Sequence, residues 1–116
     1  MKYMLLIYGD EEKMRAIPKE DASKMLPAYF AYTEALKKAG IWVAGDRLQF
    51  TSNATTVRIR DGKTNVLNGP YAEAKEQLAG YYLIDVPDMD SALSWATRCP
   101  GASTGTIEVR PVWVMQ

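Results

Sequence analysis

The densest set of groups able to do chemistry lies in residues 68–84, NGPYAEAKEQLAGYYLI. Glu73, Lys75, Glu76 and Gln77 follow a break at Asn68-Gly69-Pro70 and precede the apolar run Tyr81-Tyr82-Leu83-Ile84. Pro70 fixes its own φ and turns Gly69 away from helix, so the backbone must break there. Two carboxylates, an amine and an amide then meet a segment with core character. A carboxylate desolvated near Tyr81 or Trp42 would have a raised pKa and act as a base, while Lys75 steadied an anion. On a helix only Glu73 with Glu76 or Gln77 would share a face. A solvated surface turn is the alternative.

Other candidates are scattered. Asp46-Arg47 follows Gly45, and an interrupted strand there would re-aim side chains toward a cleft; a local surface pair is the plainer account. Glu108 and Arg110 share a face of the last strand and could pair with each other. If that face lines a cavity, the Arg110 fork would grip an anionic or phenolate ligand. Tyr8, Tyr81 and Tyr82 offer hydroxyls to the same space, or simply pack. Asp10-Glu11-Glu12 reads as solvated loop, since three adjacent acids rarely give the geometry a metal needs. Cys99, the single cysteine, reads as a small apolar residue at a helix end.

Composition removes whole classes of mechanism. The 116 residues contain no histidine, which excludes Ser-His-Asp and Cys-His catalysis and His-ligated zinc or copper. No cofactor motif is present, so none is expected. The 14 basic and 14 acidic residues balance and form no long block of either sign, leaving no footprint for nucleic acid or an anionic membrane. The start MKYMLLIYGD is too short for a signal peptide or a membrane span, and a cytoplasmic protein is expected.

The elements that must position these groups follow from periodicity. Residues 2–8 (KYMLLIY) are apolar on both alternating faces, as in a strand covered twice. Residues 10–20 read as a polar connection. Met25, Ala28, Tyr29, Tyr32, Ala35, Leu36 and Ala39 keep helical spacing, with Lys37-Lys38 and Gly40 at the end. Pro27 means that this helix either begins near Ser23 or is kinked. Residues 41–44 form a short strand. Residues 55–60 and 64–67 flank Asp61-Gly62 as a hairpin. Residues 78–86 form a strong strand, and Asp88 or Asp90 caps a helix carrying Met89, Ala92, Leu93, Ala96 and Cys99. Residues 106–114 close the chain, with Pro111 marking an edge or a break.

The order β-α-β-hairpin-β-α-β is the split βαβ pattern of the ferredoxin-like α+β fold, in one domain. Two helices cover one sheet face. The other would be left wet in a monomer, so a homodimer with two sheets packed face to face, an α+β barrel, is expected.

Residues 68–84 closely resemble the signature of YCII-related proteins of the DGPF type. That signature is roughly Asp-Gly-Pro-Phe, a small residue, Glu-x-Lys-Glu, then a strand beginning Gly-Tyr/Phe-Tyr. Residues 2–8, the run Ala54-Thr55-Thr56-Val57-Arg58 and residues 105–112 are similar to the same family. The resemblance implies the dimeric α+β barrel and bacterial cytoplasmic residence. Such proteins are often encoded near extracytoplasmic-function sigma factors, which makes a sigma factor a candidate partner. Related YCII proteins carry a histidine-aspartate pair, and one branch is a dehydrochlorinase acting on a chlorinated hydroxyquinol. The pair cannot be carried over here, and Asn68 and Tyr71 replace the usual Asp and Phe.

Three functions stay open. The first is a small-molecule-binding or regulatory module whose ligand touches Tyr8, Asp46, Arg47, Asn68, Tyr71, Tyr81 and Arg110. The second is a cofactor-free lyase or isomerase using Glu73, Glu76 and Lys75. The third is a sigma-factor partner with a filled core. An enclosed cavity with perturbed carboxylates favours the enzyme and an apolar cavity the binder.

Overall fold

A computed structural model describes residues 1–115. Its main sheet contains β1 (Lys2–Gly9), β2 (Trp42–Arg47), β5 (Gln77–Asp85) and β6 (Thr106–Pro111), in the order β2-β5-β1-β6. All three pairings are antiparallel, the ferredoxin-like arrangement expected from the element order. β3 (Thr55–Arg60) and β4 (Lys63–Asn68) form a separate two-stranded hairpin. Asp61 and Gly62 both take positive φ at its tip, the geometry of a two-residue hairpin loop. Its base closes where Gly69 N donates to Ala54 O at 2.7 Å.

Alternation along β1 sorts the sheet into two faces. Tyr3, Leu5 and Ile7 are buried beneath the helices together with Tyr82 and Ile84. Met4, Leu6 and Tyr8 lie on the opposite face and are only half-buried. The covering helices are α2 (Lys19–Lys38) and α3 (Met89–Arg98). They contribute Tyr32, Leu36, Ala92 and Ala96 to the core. Tyr32 ties the layers together: its hydroxyl donates to Trp95 O at 2.7 Å, and its ring meets Tyr82 edge-on.

Asp88 is the cap of α3, accepting from Ser91 N at 2.8 Å. That bond holds its carboxyl below the usual range. Cys99 is buried at the end of α3, and burial pushes its thiol pKa up.

Four sequence expectations need correction. Residues 10–20 are not a loop, because Asp10 caps a helix, α1 (Glu11–Ala16), accepting from Glu12 N and Lys13 N. α2 then starts at Lys19 immediately after Pro18 and runs through Pro27, which sits on an exposed turn where its missing N–H is tolerated. A four-residue helix, α4 (Gly101–Thr104), replaces the expected Gly/Ser/Thr loop. β6 stops at Pro111, on the edge of the sheet, and residues 112–115 are exposed.

Candidate functional site

Two irregularities shape the β2–β5 side of the sheet. A bulge lies between Trp42 and Ala44 on β2, and the β1–β5 register shifts between Ile7 and Tyr8. Bulges bend strands and re-aim side chains. Against this bent corner, α1 and α2 frame a cavity of about 430 Å³. Its walls are Ile7, Met14, Met25, Leu26, Trp42 and Phe50, with Gly45 and Gly80 in the floor. Gly45 has to be glycine: a Cβ there would stand 2.8 Å from the Tyr82 ring and 3.0 Å from the Trp42 ring. Polar atoms enter at few points. Thr33 Oγ1 and Tyr82 Oη share a hydrogen bond of 3.1 Å. Tyr29 also lines the cavity, its phenol pKa pushed up to about 12 by burial and pulled the other way by the Gly101 backbone and then Arg47.

One cavity wall is secured by a group that sequence reasoning missed. Glu11 is buried, and its carboxylate accepts from Thr51 N and Thr51 Oγ1, each at 2.8 Å. Arg15 approaches the same carboxylate at 3.7 Å and lies over the Phe50 ring at 4.7 Å. Glu11 N donates to Gln77 Oε1 at 3.0 Å, and Gln77 Nε2 donates to Ala74 O at 2.6 Å. Three segments distant in sequence therefore meet at Glu11, Thr51 on its carboxylate and Gln77 on its backbone N–H, beside the cavity-lining Met14 and Phe50. Two signals were available: Asp10 is a cap residue, and Glu11-Arg15 have the i,i+4 spacing of a helical ion pair.

The residues singled out from sequence separate into distinct places. Asp46 and Arg47 border the cavity, and so does Tyr81. Tyr81 Oη donates to Asp46 Oδ2 at 3.1 Å, and that carboxylate raises the phenol's pKa. Tyr8 and Arg110 belong to the open sheet face, where Tyr8 Oη donates to Glu108 Oε1 at 3.2 Å. Burial and the Glu108 carboxylate raise the Tyr8 pKa. Asn68 ends the hairpin, and Tyr71 packs under the Arg58 guanidinium at 5.3 Å; neither lines the cavity. Residues 70–76 are not helical, Glu73 and Lys75 are exposed, and Glu76 accepts from Thr106 Oγ1 at 2.7 Å. None of those three lines the cavity. Among the described residues, no three His, Cys, Asp or Glu side chains are grouped to hold a metal ion. No described helix is long and apolar enough to cross a membrane.

The sequence matches the YCII-related domain over residues 1–116. This chain belongs to the YCII-related family. An uncharacterised protein of Rhizobium meliloti (strain 1021) is 40% identical to it over 114 residues, 97% of this chain and 92% of the relative. Within this YCII-related chain, the family-like segment 68–84 places Gln77 as an anchor for α1 and Gly80 to Tyr82 in the cavity lining. Part of that segment thus builds the cavity rather than offering charged groups to it.

Proposed function

We propose that this YCII-related protein is a small-molecule-binding module whose ligand occupies the cavity between α1, α2 and the β2–β5 corner. The observation that carries this reading is the lining itself: about 430 Å³ walled by aliphatic, methionine and aromatic side chains, with a few hydroxyls and one arginine. That size and mixture fit small-molecule sites, in which an apolar body supplies affinity and few polar groups set orientation. A lyase or isomerase using Glu73 or Glu76 draws no support from the cavity, because neither carboxylate borders it.

The half-buried open sheet face is proposed as the seat of a second copy of the chain, giving a cytoplasmic homodimer of the α+β barrel type. Met4, Leu6, Tyr81 and Leu83 form its apolar centre, with Tyr8, Glu108 and Arg110 toward one side.

A thermal-shift screen against phenolic, quinol and small carboxylate compounds tests the binding reading. A ligand at 100 times its dissociation constant is expected to stabilise the fold by about 2.7 kcal/mol. Silence across the panel would count against a binding module and toward a protein partner.

A further inference from the structure

We propose that the cavity selects monoanionic aromatic compounds, aryl carboxylates above all, with Arg47 as the anion-binding residue. This rests on the binding reading above and adds the charge class of the ligand. Arg47 is the one cationic side chain among the residues lining the cavity. It pairs with Gly80 across β2 and β5, and Gly80 pairs in turn with Ile7, so all three share the helix-covered face. Gly80 carries no side chain, and a Cβ there would stand 3.4 Å from Arg47 Cα.

Arg47 also lacks an internal counter-charge. Among the described residues, the ion pairs join Met1 to Asp85 and Arg15 to Glu11, and neither uses Arg47. Its neighbour Asp46 is the acid best placed by sequence to neutralise it. Alternation turns Asp46 toward the other sheet face, where the Tyr81 hydroxyl holds its carboxylate. The second arginine nearby, Arg15, is already engaged by Glu11 and Phe50. A planar guanidinium at the mouth of an apolar cleft is suited to a carboxylate or phenolate, which it can meet with two parallel N–H donors. The body of such a ligand would lie among Trp42, Phe50, Met14 and Met25, where flat rings and thioethers give good contact. The paired hydroxyls of Thr33 and Tyr82 offer a ring substituent a hydrogen-bonding partner.

The test uses the full-length protein and N-phenyl-1-naphthylamine, a neutral fluorescent probe, displaced by 2-naphthoate or its neutral isostere 2-naphthamide. The wild type is expected to prefer naphthoate by about tenfold, the scale of one charge-assisted hydrogen-bonding contact. Arg47→Gln should abolish that preference by weakening naphthoate about tenfold more than naphthamide, and it should still fold, since the side chain is exposed. Arg47→Lys should retain part of the preference. Met25→Trp, which fills the cleft, should abolish probe binding and so locate it. Equal affinity for the two naphthalenes, or a preference that survives in Arg47→Gln, overturns the anion assignment and leaves the binding module standing. A probe that fails to bind the wild type, or that still binds Met25→Trp, overturns both.

Discussion

Glu11 shows how a charged residue can be structural without a compact ion pair. Its carboxylate sits at hydrogen-bonding distance from two Thr51 donors and only loosely from Arg15. Removing a buried acceptor leaves its donors unsatisfied, so Glu11→Ala is expected to destabilise the protein by about 2 kcal/mol in urea unfolding. Glu11→Gln, which keeps one acceptor oxygen, should cost less. A loss no larger for alanine than for glutamine would show that the Thr51 bonds contribute nothing. Tyr29 is a second residue with a measurable signature. Its folded pKa of about 12 lies above the ordinary value near 10, so the half-buried neutral phenol contributes its stability fully below about pH 10. That contribution disappears as pH rises toward 12. The melting midpoint of the wild type should therefore fall between pH 10 and 11.5 more steeply than that of Tyr29→Phe, which cannot ionise. Parallel curves for the two proteins would refute the assignment.

Among elements, the strands, α3 and the body of α2 were readable from their own residues, whereas α1 and the first turns of α2 were not. β1, β5 and α3 carry long periodic patterns, and burial follows those patterns closely. α1 has six residues, too few for a period to show, and its partners Thr51 and Gln77 are distant in sequence. Reading Asp10-Glu11-Glu12 as solvated was sound for an isolated segment; tertiary contact buried the middle residue. Of the two readings that Pro27 left open, the start near Ser23 fails, because a proline on an exposed turn is compatible with a helix that packing holds on its other side. The cap of α3 supplies a direct test. Because the Asp88 carboxyl titrates below its ordinary value, its contribution is present above about pH 3.9 and is lost as pH falls through the lower folded value. Asp88→Ala should melt below the wild type at pH 7, with the gap closing toward pH 2, while Asp88→Asn, still a good cap, should stay close to the wild type at neutral pH. A gap that persisted unchanged in acid would exclude the charged cap as its cause.

For the whole molecule, the fold was legible because strand order and two-sided patterning agree with each other. The cavity was not, because it arises from the bent corner of the sheet and the docking of α1, neither of which leaves a periodic trace. Asp46, Arg47 and Tyr81 were identified as individual residues, but their grouping came only with the fold. The open sheet face is where the homodimer can be tested. Light scattering at micromolar concentration should give twice the chain mass, and Leu6→Asp, at the centre of that face, should return a folded monomer. A monomeric wild type would remove the proposed barrel and leave the face exposed for another partner.

The bulge on β2 has a consequence for the charge of the cavity. Simple alternation from Trp42, which points under the helices, would send Asp46 to the same side and Arg47 to the other. Because Trp42 pairs with Ile84 and Ala44 with the very next residue, Leu83, the extra residue Val43 reverses the parity of everything after it. One additional peptide unit thus turns the Arg47 side chain toward the helix-covered face and the Asp46 carboxylate toward Tyr81 on the other. Which sheet face each charge occupies is written in the strand's count of residues as much as in their identity.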